Sequence, residues 1–251
     1  MEMDNRPFVV TDADNTLWDT DAVYADAQVR LLREVERASR SETEHSLEFL
    51  REIDQNIAVL HPMYLRYPPE LLVNAVAAVL TGMATREAVE KALAGWQSEA
   101  VESSRLAMHF LKSITTHIPK LRIGVRAGLE GLSGKGIHPV VLTEGDKDRC
   151  VRLLSHHGID QHIRAVVEHR KTPEAFRWLQ EEFGGPSTSF MVGDQSDRDI
   201  ECAHVAGYIT IYFPCRFTPS WTKFRAVSAD YYIADFSECV SVIGKAAGAP
   251  A

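Results

Sequence analysis

The sequence predicts an α/β fold: a doubly wound parallel sheet with an α-helical segment inserted after its first strand. Three observations carry this. A short, continuous, β-branched apolar run stands alone near the N-terminus, at residues 7–11. From Asp21 to Lys112 strand-like runs vanish, and apolar residues recur at helical spacing. From Pro119 onwards strand-like and helix-like stretches alternate with short links, which implies right-handed crossovers and parallel strands.

Each element has its own local reason. The run Pro-Phe-Val-Val-Thr at 7–11 is apolar throughout, as a strand buried on both faces requires, and it stops at the polar cluster Asp12-Ala13-Asp14-Asn15-Thr16. The insertion reads as about four helices. The first holds Val23, Ala27, Leu31 and Val35, and the second Leu47, Leu50, Ile53 and Ile57. The third starts at Pro68-Pro69, and the fourth follows Thr85 with half a capping box. Beyond Pro119 the spacing predicts helices over 126–135, 147–157, 172–185 and 197–206, with a last one ending near 247. Between them come strands at 139–143, 165–168, 189–192, 208–213 and 231–233. Gly136, Gly158 and Gly207 follow helix ends, where glycine terminates a helix readily. The Gly-Ala-Pro-Ala tail reads as frayed.

Composition narrows the function classes. Hydrophobic residues make up 45% of the 251, enough for a substantial buried core. The formal net charge of −8 argues against nucleic acid as a partner, since that needs a basic surface. No window resembles a membrane span, and the N-terminus lacks the basic-then-apolar pattern of a signal peptide. Cys150, Cys202, Cys215 and Cys239 are widely spaced, so a disulfide framework or zinc site is not expected, and reduced thiols in a cytoplasmic protein fit. A monomer or homodimer is expected.

The polar residues with chemical potential all follow strands, where open parallel sheets bind ligands. Asp12 and Asp14 leave the first strand two residues apart. Two carboxylates this close need a cation or a proton to coexist. Asp194 and Asp199, in Gly193-Asp194-Gln195-Ser196-Asp197-Arg198-Asp199, add hard oxygen donors of the kind that suit Mg²⁺, while Asp197 reads as an ordinary helix-start acid. Thr143 ends the second core strand and can donate to an anion. Lys171 follows the third. Taken singly, Thr143 also reads as a strand-end residue, Lys171 as a surface lysine, and the aspartate pair as a solvated loop.

Together, a strand followed by DxDxT, a strand-end Thr, a Lys and a strand followed by GDxxxxD resemble the haloacid dehalogenase-like hydrolase superfamily. Asp12 to Trp18 matches its first motif, Thr143 the second, Lys171 the third, and Asp194 with Asp199 the fourth. The resemblance implies a Rossmann-like core over 1–19 and 119–251 and a helical C1 cap over 20–118. It implies that Asp12 is a nucleophile forming an aspartyl-phosphate, and that Asp14 is the acid and then the base. It further implies Mg²⁺ held by Asp12, Asp194 and the backbone carbonyl of Asp14, with Asp199 acting through water. Thr143 and Lys171 would bind phosphoryl oxygens. The family's dehalogenases lack a carboxylate at the position of Asp14, so the resemblance favours a phosphatase for a small phosphorylated metabolite. A phosphomutase, a 2-haloacid dehalogenase-type hydrolase and a catalytically silent regulatory member stay as alternatives. Phosphonate cleavage would need a cap lysine, for which Lys91 and Lys112 are poor candidates.

Other features are read more simply. Residues 131–136 mimic a phosphate-binding loop, but Leu129 and Gly136 stand where it needs Gly and Ser or Thr. His156 and His157 suit a helix C-terminus. His61, Tyr64, Arg66 and Tyr67 either line a substrate pocket or serve packing. The aromatic, proline-rich stretch 213–221 reads as a rim loop or a dimer contact, and Glu144 and Asp146 add acids near Thr143.

Overall fold

A computed structural model describes residues 6–41, 44–99, 101–184, 187–220, 222 and 228–248. Residues 1–5, Gly185, Trp221 and 249–251, on which some sequence expectations fall, lie outside the described set. Six strands, β1 (Phe8–Thr11), β2 (Val140–Thr143), β3 (Ala165–Glu168), β4 (Ser189–Gly193), β5 (Ile209–Tyr212) and β6 (Tyr231–Tyr232), form one parallel sheet in the order β3-β2-β1-β4-β5-β6. Ten α-helices accompany them among the described residues. They are α1 (Thr20–Ala38), α2 (Leu47–Leu60), α3 (Pro69–Leu80), α4 (Thr85–Leu93), α5 (Ser103–Thr116), α6 (Val125–Gly134), α7 (Lys147–His156), α8 (Pro173–Leu179), α9 (Cys202–Val205) and α10 (Cys239–Ala246).

The central strands β1, β2 and β4 are buried throughout, and since successive residues of a strand point oppositely, they fill a core on each face. Val9, Val141, Phe190, Val192 and Ile211 face a core built with α6, α7 and α10, through Leu129, Leu132, Leu154, Cys239 and Ile243. Phe8, Val10, Val140, Leu142 and Met191 face a second core with Phe176 and Leu179 of α8 and Ala203 of α9. Helices on both faces make the sheet doubly wound, as the continuous apolar strands predict. The strand order brings β2 and β4 to either side of β1. Thr11 registers with Val141 on one side and Val192 on the other. The residues just beyond these positions therefore emerge at one sheet edge.

The chain divides into two compact units, one of residues 1–20, 119–218 and 222–251, the other of residues 21–118 and 219–221. The second is all-helical, with a core that includes Leu31, Leu32, Leu50, Ile53, Ile57, Val73, Val76, Leu106 and Phe110. Among the described residues it holds five α-helices rather than about four. The fifth, α5, buries Leu106, Ala107, Phe110 and Ile114, while Met108 and Leu111 are exposed and blur its stripe. Its N-cap, Glu102, makes no side-chain cap bond, so the usual start signal is missing. The expected half capping box of α4 is absent too: Ala84 is the N-cap and Thr85 the first helical residue. Tyr67 is a packing residue whose buried hydroxyl donates to Asp54 Oδ1. Gln28 Nε2 donates to Asp54 Oδ2 at 3.3 Å, and Arg51 pairs with Asp21 at 2.5 Å.

The helix expected over 197–206 is only partly α. Ile200 N donates to Gln195 O at 3.2 Å, a π-type bond spanning five residues, and the π-turn covers Ser196–Glu201 before α9 begins. Such turns commonly mark functional sites.

Candidate active site

The loop that follows β1 folds for local reasons. After β1, Asp12 N donates to Val192 O at 2.9 Å, which extends the ladder by one residue. Asn15 then takes φ +60°, a left-handed conformation that asparagine tolerates better than most residues. This turns the chain back, and Leu17 N donates to Ala13 O at 2.8 Å. Ala13 and Leu17 are fully buried, which leaves the side chains of Asp12, Asp14 and Thr16 to form the polar surface of the loop. Arg122 secures the outside of the turn. Its Nη1 donates to the carbonyls of Asn15 and Phe213, and its guanidinium lies 3.6 Å over the Phe213 ring.

Of the six residues singled out in the sequence, four meet in one buried cluster. Lys171 Nζ donates to Asp12 Oδ1 and lies 2.6 Å from Asp199 Oδ1. Asp12, Asp194 and Asp199 each offer a carboxylate oxygen within 4.8 Å of the others. Thr16 Oγ1 lies 3.1 Å from Asp12 Oδ2 and 3.3 Å from Asp194 Oδ1, so one hydroxyl bridges the first and fourth motifs. All four cluster residues are 5% exposed or less. Gln195 N donates to Asp199 Oδ2 at 2.9 Å. Gly193 lets Asp199 fold back this closely, because a Cβ there would overlap its carboxyl group.

The electrostatics follow from burial. Three carboxylates face one ammonium, a surplus of negative charge when all are ionised, which the Arg122 guanidinium near Asp194 offsets in part. Desolvation pushes the Asp12 carboxyl well above its usual range, and Asp199 and Asp194 add to this against the opposing pull of Lys171. Burial, then the neighbouring Asp199, pushes Asp194 up to about 7. Desolvation works against the Lys171 ammonium, but Asp12 and Asp199 outweigh it and hold its pKa above the usual lysine value. Asp199 Oδ1, although close to Lys171, has no well-aligned hydrogen-bond donor. A buried, all-oxygen donor set with a surplus of negative charge fits a hard divalent cation.

Asp14 and Thr143 flank this cluster. Asp14 Oδ1 accepts from Trp18 Nε1 at 3.0 Å and Thr20 Oγ1 at 2.6 Å, and Arg149 Nη1 is 3.8 Å away. With Oδ1 occupied by two donors, Oδ2 is the oxygen better placed to exchange a proton. Thr143 Oγ1 accepts from Gly145 N at 2.9 Å. A Cβ on Gly145 would come 3.1 Å from Asp14 Oδ2 and 3.2 Å from Thr143 Oγ1, so both groups approach the same glycine. Asp197 is not among the clustered acids and lies 4.0 Å from Arg198 Nε. Asp146 is the N-cap of α7 and accepts from Arg149 N at 2.5 Å. Thr20, Arg122, Arg149 and Arg198 were not legible as site residues. Only Thr20 carried a signal, a polar residue six positions after Asp14.

Fold and cluster together define an α/β enzyme core with a polyacidic site at the strand ends. The chain belongs to the haloacid dehalogenase-like hydrolases, whose family model matches residues 8–207. Solved structures agree in fold. A protein of Bacillus subtilis assigned as a HAD-hydrolase, YfnB, bound to magnesium, is similar at 15% identity and a TM-score of 0.62, over 96% of this chain and 99% of that one. A protein of Haemophilus somnus 129PT assigned as a phosphoglycolate phosphatase is similar at 18% identity and a TM-score of 0.60, over 96% and 99%. A 2-haloacid dehalogenase of Pseudomonas syringae pv. tomato DC3000 is similar at 22% identity and a TM-score of 0.54, over 96% and 99%. No curated protein matches the chain significantly in sequence.

Proposed function

We propose that this hydrolase is a Mg²⁺-dependent phosphatase acting on a small phosphorylated metabolite, with Asp12 as nucleophile. One observation favours this over dehalogenation: Asp14 is a carboxylate, held through Oδ1 by Trp18 and Thr20, with Oδ2 outside those two bonds. An alkoxide leaving group needs a proton and a halide does not. Asp12, Asp194, Asp199 and the Asp14 carbonyl would hold the cation, which when bound neutralises their charge and that of the phosphoryl oxygens. Magnesium in the similar Bacillus subtilis protein supports the choice of ion.

In the first step an Asp12 oxygen forms a bond to phosphorus. The ester P–O bond breaks, its electron pair leaves with the alkoxide, and Asp14 supplies the proton that makes an alcohol. In the second, water attacks phosphorus while Asp14 accepts its proton, and Asp12 departs with the bonding pair as inorganic phosphate is released. Lys171 and Thr143 would steady the phosphoryl oxygens throughout. The helical unit, inserted between β1 and β2, would serve as the cap that selects the substrate. Four free cysteines support a cytoplasmic setting. The test is phosphate release from p-nitrophenyl phosphate with Mg²⁺ or EDTA, alongside chloride release from 2-chloropropionate. Metal-dependent phosphate release that Asp12→Asn abolishes is expected. Chloride release without phosphatase turnover would overturn the reading.

A further inference from the structure

Glu144 follows Thr143 and adds a carboxylate where an anionic substrate would bind, an arrangement that on charge alone is unfavourable. The structure shows where that charge goes. Glu144 Oε1 accepts from the backbone N of Lys171 at 2.8 Å. Arg198 Nη1 donates to Oε1 at 2.9 Å and to Oε2 at 3.1 Å. Glu144 follows β2, Lys171 follows β3 and Arg198 follows β4. In the order β3-β2-β1-β4, the Glu144–Arg198 pair therefore reaches across the end of β1, where Asp12 emerges. The two side chains are 24% and 22% exposed, dry enough for a pair with charge-assisted hydrogen bonds to matter.

We propose that Glu144 is a positioning residue for Lys171, and that Arg198 is its lock. The Glu144 carboxylate fixes the backbone of Lys171, whose ammonium then has one route to Asp12 and Asp199. Arg198 ties that carboxylate to the loop carrying Asp194 and cancels its charge, so the second motif keeps an acid without repelling phosphate. The inference deepens the phosphatase reading and rests on it for its effect on phosphate, while its effect on the Lys171 backbone stands on geometry alone.

The test compares Glu144→Ala, Glu144→Gln, Arg198→Ala and the double variant Glu144→Gln/Arg198→Ala. Three quantities are read with Mg²⁺ present: hydrogen exchange of the Lys171 amide, affinity for inorganic phosphate, and the KM and kcat for p-nitrophenyl phosphate. Glu144→Ala should speed Lys171 amide exchange and weaken phosphate binding, each by about tenfold, as loss of a hydrogen bond to a charged acceptor implies. Glu144→Gln keeps an acceptor and should recover amide protection to within about threefold of wild type, on the same scale. Arg198→Ala leaves a bare carboxylate beside the anion site. It should weaken phosphate binding and raise KM by about tenfold, with kcat changed less, and have little effect once residue 144 is Gln. Unchanged exchange and phosphate affinity in Glu144→Ala, or an equal Arg198→Ala penalty in both backgrounds, would overturn the proposal. Because the exchange readout needs no substrate, a wild type without phosphatase turnover would refute the functional reading separately.

Discussion

In the metal-free protein, Asp194→Asn should increase stability at pH 8 and leave it nearly unchanged at pH 4. Burial and the Asp199 carboxylate raise Asp194 from an ordinary 3.8 to about 7 in the folded chain. Its folded pKa thus lies above its unfolded one. Over the window between the two, the folded state holds a proton that the unfolded state has released, so stability falls as pH rises through it. A shift of roughly 3 units at about 1.4 kcal/mol each gives about 4 kcal/mol lost by pH 8. Asparagine does not titrate and can still accept from Thr16, so the variant escapes this loss. At about 2–4 °C per kcal/mol for a chain of this size, its Tm in EDTA should exceed that of wild type by roughly 8–16 °C at pH 8. Added Mg²⁺ should reverse the order, because mass action stabilises only the protein that still binds the ion well. Calorimetry from pH 4 to 8, in EDTA and then in Mg²⁺, measures both effects. A Tm difference that stays flat with pH in EDTA, or a metal-free variant less stable than wild type at pH 8, would refute the reasoning.

Substitutions at three further positions probe the surrounding architecture. Gly193→Ala should displace Asp199 and weaken Mg²⁺ binding by roughly 10–100-fold, the range for disturbed metal-site support, and calorimetric affinity within twofold of wild type would count against it. Asn15→Val should cost about 1–2 kcal/mol, because a β-branched residue resists φ +60°, while Asn15→Gly should be nearly neutral in urea denaturation; equal stabilities would mean the turn is not constrained. Tyr67→Phe should destabilise the helical unit by about 1–3 kcal/mol by removing a donor from the buried Asp54, and native-state hydrogen exchange in α2 would reveal it; unchanged protection there would show the bond is dispensable.

Much of the core was readable because its physics is local. The apolar runs of β1, β2 and β4 need burial on both faces, and polar residues at their ends stand out against them. Asp12, Asp194, Asp199 and Lys171 could be proposed together only because their motifs, in that order along the chain, resemble those of a known family; read singly, each is an ordinary strand-end or loop residue. What stayed hidden depends on contacts without a sequence period. The pairing of Glu144 with Arg198 spans 54 positions, and that of Arg122 with the Asn15 carbonyl spans 107. The π-turn at Ser196–Glu201 arises where Asp199 packs back on Gly193, which helix-like spacing does not encode. Helix α5 was missed because its outer face carries Met108 and Leu111 and its start lacks a capping side chain.

The central claim is that the buried carboxylate of Asp12 accepts a phosphoryl group. Acid-quenching the enzyme within one turnover, in Mg²⁺ with a phosphomonoester it hydrolyses, and sequencing its peptides by mass spectrometry tests this directly. One phosphoryl group on the Asp12 peptide is predicted, absent in EDTA and in Asp12→Asn. Turnover with that peptide unmodified, or with phosphate on another residue, would contradict it.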